Sequence, residues 1–92
     1  MTATITTEDR IRSAYNVASG FEPGTWVNLT DIRLWLRDVP RDVQDDALRT
    51  LERSPDVNLV PESNQKTLTP ADRDAAVWIG EQAKHLLWIA AQ

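Results

Sequence analysis

Apolar residues recur every three or four positions in the first half of the chain, which is the periodicity of one face of an α-helix. The first predicted helix spans residues 7–19 and stops before Gly20. Thr6 or Thr7 can cap it, and the acids that follow are favoured by the helix dipole. Its inward positions are Ile11, Ala14, Tyr15 and Ala18.

A short strand and two more helices are predicted next. Residues 26–29 are too few for a helix and rich in strand-forming side chains. Thr30 then caps a helix over residues 31–38, and Pro40 suits the start of another over residues 41–53. In the first of these helices Leu34 points outward and the inward positions are Ile32, Trp35, Leu36 and Val39. In the second the inward positions are Val43, Ala47, Leu48 and Leu51.

The second half of the chain predicts strands on either side of a further helix. Residues 57–60 form a strand and residues 61–66 a polar loop. Thr69 and Pro70 begin a helix over residues 70–79, which Gly80 ends. The apolar run Leu86-Leu87-Trp88-Ile89 predicts a buried third strand within residues 84–90, and a helix continuing from Ala83 is the alternative.

Composition restricts the classes of protein that this sequence can represent. Its 92 residues make one domain, and 41% hydrophobic residues, four of them tryptophan, supply a core. The chain contains no cysteine, which agrees with a reducing compartment. It has no apolar run near the ~20 residues that span a bilayer, and its N-terminus lacks the features of a signal peptide. We therefore expect a soluble cytoplasmic protein that does not enter a membrane.

This order of elements resembles the winged helix-turn-helix superfamily over nearly the whole chain. Residues 26–29 match the short first strand, residues 30–39 and 41–53 the helix-turn-helix pair, and residues 57–60 and 86–89 the wing strands. The resemblance implies an α+β fold with three N-terminal helices and a small three-stranded antiparallel sheet. About 25 residues separate the wing strands, where a hairpin loop needs roughly 2–5, so the helix near residue 70 would be inserted in the wing.

A second resemblance concerns the polar segment before that inserted helix. Residues 61–70 resemble segments of actinobacterial and mycobacteriophage-type proteins of undefined role. The resemblance implies that the chain acts in regulation as a phage-type modulator of a host factor.

In the winged-helix superfamily the third helix commonly lies in the major groove of DNA. At ~100° per residue, the outward face of this helix holds Asp42, Asp45, Asp46, Arg49 and Arg53. Acids in that position repel phosphates, and aspartate recognises a base only by accepting from cytosine. The net charge of −4 adds to this repulsion. The charges therefore favour a protein partner, and an acidic helix can dock on a basic surface, even one that otherwise holds DNA.

DNA binding is the alternative that the resemblance implies. A sequence-specific regulator, dimeric in form, would use the third helix and the wing. Its contact residues would be Arg41, Arg49, Arg53, Asn64, Gln65, Lys66 and Lys84. Further cations on the first two helices are Arg10, Arg12, Arg33 and Arg37, and surface charges of this kind are more often solvated or paired with neighbouring acids than bound to a partner.

An apolar surplus in the last strand supports the protein-partner hypothesis. Both faces of this strand are apolar, so the inserted helix covers one of them or a partner does. Trp26, Trp78 and Trp88 are expected to cluster near the sheet, either as core residues or as interface anchors. The candidate protein-binding residues are Asp42, Asp45, Asp46, Arg49, Leu34, Trp78 and Trp88. Association into a homodimer stays open.

Residue types that carry catalysis or hold metals are sparse. His85 is the only histidine and there is no cysteine, so a zinc site is not expected. The pairs Asp45-Asp46 and Asp72-x-Asp74 lack the loop glycine and the spaced oxygen ligands of a calcium site. No serine stands in a motif that activates a nucleophile. We therefore expect a protein without enzymatic activity, cofactor or metal.

Overall fold

The computed structural model describes residues 5–90, and their secondary structure confirms the α+β class. The helices are α1 (Thr7–Ala18), α2 (Leu29–Leu34), α3 (Arg41–Glu52) and α4 (Pro70–Ala75). The strands are β1 (Val27–Asn28), β2 (Val57–Val60), β3 (Val77–Ile79), β4 (Gln82–Lys84) and β5 (Leu86–Ile89). A short 3-10 helix, Gln65–Thr67, lies in the loop between β2 and α4.

Helix α1 begins and ends close to its predicted bounds. The Thr6 hydroxyl accepts from the Asp9 N–H at 3.1 Å, and the Asp9 carboxylate accepts from the Thr6 N–H at 3.3 Å. This reciprocal pair satisfies two N–H groups that the first turn would leave without partners. The helix stops before Gly20, whose φ of +68° is favourable only for glycine. Ala18, predicted to face inward, is exposed.

Helix α2 is shorter than predicted. It spans Leu29–Leu34, and the residues after it form a turn in which the Trp35 and Leu36 N–H groups donate to Ile32 and Arg33 carbonyls. These i to i−3 bonds advance the chain by a larger angle per residue than α-helical bonds do. Trp35, predicted to face inward, is consequently 55% exposed, whereas Leu36 remains buried.

The buried face of α3 includes a polar residue that periodicity did not predict. Gln44 is buried, and Val43, predicted to face inward, is partly exposed. The Gln44 amide donates to the Leu36 carbonyl at 2.9 Å and to the Val39 carbonyl at 2.8 Å. These bonds satisfy carbonyls in the turn between α2 and α3. A buried amide is stable there because its hydrogen bonds replace those to water.

Strand β5 is the centre of a three-stranded antiparallel sheet with the order β1-β5-β2. Val57 lies opposite Ile89 and Leu59 lies opposite Leu87. The strand prediction for residues 86–89 and its position beside residues 57–60 are therefore confirmed. Leu87 and Ile89 are buried against the helices, so this face of the sheet forms one wall of the core.

The segment inserted between β2 and β5, residues 61–84, contains a hairpin where a longer helix was predicted. Helix α4 ends at Ala75, and β3 pairs with β4 in a separate two-stranded sheet. The two residues between Ile79 and Gln82, Gly80 and Glu81, have φ values of +60° and +66°. Two successive positive φ values give the hairpin turn whose twist matches that of the strands. The prediction of a helix continuing to residue 79 is therefore wrong.

Asp72 fixes the start of α4 and links it to α2. Its carboxylate accepts from the Thr30 hydroxyl at 2.6 Å and from the Thr69 N–H at 3.1 Å. Hydrogen bonds from Thr30 and then Thr69 lower the pKa of Asp72. An acid whose pKa is lowered on folding stabilises the fold above its unfolded pKa of ~3.9, and this contribution is lost as the pH falls through the folded value.

We therefore expect Asp72→Asn to destabilise the protein at pH 6, and expect the difference from the wild type to shrink below pH ~3.9. Urea denaturation between pH 2 and pH 7 measures this difference. Asp31→Asn is the matched control, because Asp31 is an exposed acid on α2. If the wild type and Asp72→Asn lose stability in parallel across the whole range, the Thr30–Asp72 bond does not contribute as described.

Candidate functional site

Three residues of α3 form a stripe along the side that faces the inserted segment. Arg41, Asp45 and Arg49 follow one another at intervals of four, so they lie on the same side of the helix. The Arg41 guanidinium donates to the Asp74 carbonyl at 2.7 Å and to the Ala76 carbonyl at 2.9 Å. Arg41 thus holds the end of α4 in place.

Arg33 of α2 contacts the same end of α4, and we call this set of contacts the arginine junction: Arg33, Arg41, Gln44 and Asp45 with the carbonyls of residues 74–76. Its guanidinium donates to the Ala75 carbonyl at 2.7 Å, to the Gln44 side chain at 2.9 Å and to Asp45 at 2.7 Å. The Arg33 side chain is only 11% exposed. Burial lowers the pKa of Arg33 and the bond to Asp45 opposes that shift. The junction therefore depends on a buried charge that needs all its hydrogen bonds.

Asp45 does not face solvent as predicted. Its carboxylate pairs with Arg33 at 2.7 Å and with Arg41 at 3.1 Å, and 20% of its side chain is exposed. The cause is that two arginines from different helices converge on it. Asp45 is therefore a structural acid of the junction, and the prediction that it belongs to an outward acidic face is wrong.

A second set of residues does lie at the surface, and we call it the α3–hairpin face: Asp42, Asp46, Arg49 and Trp78. Arg49 joins the two elements, because its guanidinium contacts the Trp78 carbonyl at 3.1 Å and the Asp46 carboxylate at 3.2 Å. Trp78 is 62% exposed and the Asp46 side chain 79% exposed. Asp42 is exposed one helical turn before Asp46. The structure thus brings together four of the seven predicted protein-binding residues.

The other predicted protein-binding residues lie on different elements. Leu34 is exposed at the last position of α2. Trp88 is half-buried in β5, where its ring centroid lies 6.2 Å from that of Trp26. Trp78 belongs to the other sheet. The tryptophan pair beside β5 therefore consists of Trp26 and Trp88, and Trp78 contributes to the surface on β3.

The residues of the DNA-binding hypothesis are spread over several elements. Arg41 is committed to the junction, and Arg53 is exposed at the end of α3. Asn64 accepts from the Lys66 N–H at 3.2 Å, and the Gln65 amide donates to the Glu62 carbonyl. In β4 the Lys84 ammonium donates to the Gln82 side chain at 2.9 Å. Side chains in the loop and in β4 thus bond to their own segments.

Ion pairs engage half of the cationic side chains within residues 5–90. In that described part of the chain, five of the ten cationic side chains, all of them arginines, form ion pairs with four of the fourteen acids. In the Arg10–Asp38 pair, the arginine holds the pKa of the Asp38 carboxyl below its usual range. The Arg12–Asp56 pair joins α1 to the start of β2 at 2.7 Å. The charges left outside ion pairs are predominantly negative.

Within residues 5–90, three or more histidine, cysteine, aspartate or glutamate side chains nowhere come together as a set that could hold a metal ion. The longest helices of the same residues, α1 and α3, have 12 residues each, and none of the described helices is long and apolar enough to cross a membrane.

The fold and this face together define a small α+β domain whose inserted α4 and hairpin are held by arginines of α2 and α3. Comparison of the chain with protein-family models, with curated proteins and with solved structures found no match.

Sequence reasoning missed the residues that hold the junction. The sequence pattern indicates a surface cation at Arg33 and no role for Gln44. One signal was available: Gln44 stands on the inward side of α3, next to the Val43 position of the apolar face. A polar residue at such a position predicts a buried hydrogen-bonding partner. The identity of that partner depends on how α2 and α4 pack.

Proposed function

We propose that this chain is a non-catalytic regulatory module that binds a cationic surface of a partner protein through the α3–hairpin face. The observation that carries this proposal is the exposure of Trp78. Arg49 donates both to the Trp78 carbonyl and to the exposed Asp46 carboxylate, so it holds the backbone of Trp78 beside that acid. Tryptophan is among the residues that most often dominate binding energy at protein interfaces. An exposed ring on a strand fixed from both sides is pre-organised for such a contact.

The charge of the face specifies the chemistry of the partner. Asp42 and Asp46 stand one helical turn apart, which is ~6 Å along the axis of α3. The ion pair of Arg49 with Asp46 is exposed, and exposed ion pairs contribute little to stability. A lysine or arginine of the partner can therefore pair with either acid while a second cation packs on the face of the Trp78 ring. This arrangement suits a protein surface rich in lysine and arginine.

The same geometry argues against DNA as the ligand. DNA affinity depends on cations that neutralise phosphates. Arg41 and Arg49 donate to carbonyls of the inserted segment, so the cations nearest the α3–hairpin face already have partners. Asp42 and Asp46 would repel the phosphates beside them. DNA binding is therefore the competing outcome that the experiment must exclude.

We propose that the architecture is a winged helix-turn-helix with an insertion in its wing. Three features support this assignment: the short turn between α2 and α3, the β1-β5-β2 sheet order, and the antiparallel pairing of β2 with β5. The insertion, residues 61–84, leaves β2 and returns to β5. It lies against α2 and α3 through the arginine junction, so the side of α3 that carries Arg41 and Arg49 is partly covered.

The proposal predicts which tryptophan contacts the partner. A photoreactive benzoylphenylalanine at position 78 should crosslink to a lysine- and arginine-rich protein in cells that produce this chain, and the same group at position 35 should not. Trp35 is a matched control because it is exposed to a similar extent on the far end of α2. With the purified partner, Trp78→Ala should weaken binding about tenfold or more, and Trp35→Ala less than about twofold.

Two further measurements complete this test. Replacing both Asp42 and Asp46 with asparagine should weaken binding and reduce its dependence on salt, while circular dichroism confirms folding. Titration of a labelled mixed-sequence duplex at low salt tests the alternative. Tight duplex binding that weakens steeply with salt would change the assignment from a protein partner to DNA. Crosslinking from position 35 alone would show that the binding surface lies elsewhere.

A further inference from the structure

The two ends of the inserted segment meet at a buried histidine. The insertion leaves β2 at residue 61 and returns at Lys84, immediately before His85. His85 is buried between β4 and β5, and its ring Nδ1 accepts from the Glu62 N–H at 3.1 Å. This bond joins the first residues of the insertion to the residue that follows its last strand.

The backbone of His85 is held on both sides, and the burial of the residue limits the movement of its ring. Its N–H donates to the Val60 carbonyl at 2.9 Å, and its carbonyl accepts from the Leu29 N–H at 2.9 Å. An acceptor at Nδ1 places the proton of the neutral ring on Nε2. A second proton, taken from solvent, must therefore enter at Nδ1. That position faces the Glu62 N–H, so protonation would set two donors against each other.

We propose that the hydrogen bond between the His85 ring and the Glu62 amide is pH-sensitive and joins the two ends of the insertion. We call this bond the His85–Glu62 latch. When the ring is neutral, the bond holds Glu62 against His85. When the ring is protonated, the bond is lost and Glu62 separates from the ring, while the Gln65 carbonyl still accepts from the Arg73 guanidinium at 2.9 Å. Histidine is the side chain that most often gains and loses a proton under mild conditions, so protonation of the ring is the change that would break this bond. The inference concerns the insertion itself and does not depend on what Trp78 binds.

The charged groups around His85 define the controls. From α4, Asp72 interacts electrostatically with the ring, and its carboxylate is held by Thr30 and Thr69. From the loop, the Glu62 carboxylate accepts from the Asn64 N–H at 3.1 Å. Lys84 precedes the ring in β4 and bonds to Gln82, and the exposed Asp31 lies in the first turn of α2. A change driven by either nearby carboxylate would disappear in Asp72→Asn or in Glu62→Gln.

The test uses nuclear magnetic resonance on the full, isotope-labelled chain. At pH 7.5 the ring nitrogen spectrum should show an unprotonated Nδ1 and a protonated Nε2. Between pH 7.5 and pH 5.5 the protection of the Glu62 amide against hydrogen exchange should fall about tenfold or more, the equivalent of one lost hydrogen bond. Its midpoint should match the titration of the His85 ring. Amides of α3 should keep their protection over the same range.

His85→Asn is the decisive variant, because an asparagine oxygen can accept from the Glu62 N–H without titrating. Its Glu62 amide should stay protected at both pH values, whereas in Asp72→Asn and in Glu62→Gln the loss of protection should still coincide with protonation of the His85 ring. A protonated Nδ1 at pH 7.5, or equal protection at both pH values, would overturn the proposal. If His85→Asn does not fold, coincidence of the ring and amide midpoints in the wild type decides the question, and midpoints that differ would refute the latch.

Discussion

Replacing Arg33 with methionine is expected to lower the free energy of unfolding by about 3 kcal/mol. Methionine retains much of the apolar stem but leaves Asp45 with one cation fewer and the Ala75 carbonyl and Gln44 oxygen without their donor. The loss is large because a buried acceptor or charge without its partner keeps its full desolvation cost. Urea denaturation at pH 7, followed by circular dichroism, measures the change.

Arg37→Met is the matched control for Arg33→Met. Arg37 lies four residues later and is exposed, so its replacement should change stability by no more than about 0.5 kcal/mol. The double variant Arg33→Met with Asp45→Asn should recover part of the loss, because it removes the acid that Arg33 neutralised. Equal effects of Arg33→Met and Arg37→Met would mean that the junction contributes little to folding.

The second large effect is expected for Tyr15→Phe, which should destabilise the protein by about 2 kcal/mol. The Tyr15 hydroxyl donates to the Thr25 carbonyl at 2.6 Å and accepts from the Thr25 N–H at 3.0 Å. It also lies 3.3 Å from the Ile89 carbonyl, so one oxygen ties α1 to the segment before β1 and to the end of β5. Phenylalanine keeps the ring packing and removes only these bonds.

Hydrogen exchange at the Thr25 amide gives a local readout of the same change, since that N–H loses its acceptor in Tyr15→Phe. Thr50→Ala serves as the comparison, because the Thr50 hydroxyl donates to the Asp46 carbonyl on an exposed helix surface. It should alter stability by no more than about 0.5 kcal/mol. A Tyr15→Phe variant as stable as the wild type would show that water replaces the hydroxyl at no cost.

Much of the fold could be predicted because local signals agree with the final structure. The reciprocal cap of Thr6 with Asp9, and that of Thr69 with Asp72, mark the starts of α1 and α4. The apolar run in β5 predicted the central strand. In each case the interactions that define the element lie within a few residues, so periodicity and capping rules suffice.

The errors lie where a local signal had two meanings. Gly80 predicted the end of a helix, but with Glu81 it forms the turn of the β3–β4 hairpin. The preceding Val77-Trp78-Ile79 has the β-branched and aromatic residues typical of a strand, which was the available signal. Trp35 matched a helical face, but the tightened turn after α2 directs it to solvent.

The candidate site was predictable in part. The exposure of Asp42, Asp46 and Arg49 followed from helical geometry, because positions opposite the buried face of α3 point outward. Asp45 lies on the border between these faces, and its role depends on Arg33, twelve residues away in the chain. A helical wheel contains no information about which neighbouring element contributes the partner of a border residue.

The sequence by itself determined the class of fold, most of the helix and strand positions, and the excess of acids over cations, since each follows from local spacing or from composition. Only the tertiary structure decided which arginines are buried, which tryptophan reaches the surface beside α3, and where the ends of the insertion meet. These outcomes depend on contacts between residues far apart in the chain. Whether a polar group is buried with partners or exposed to water is determined by the packing of whole elements against one another.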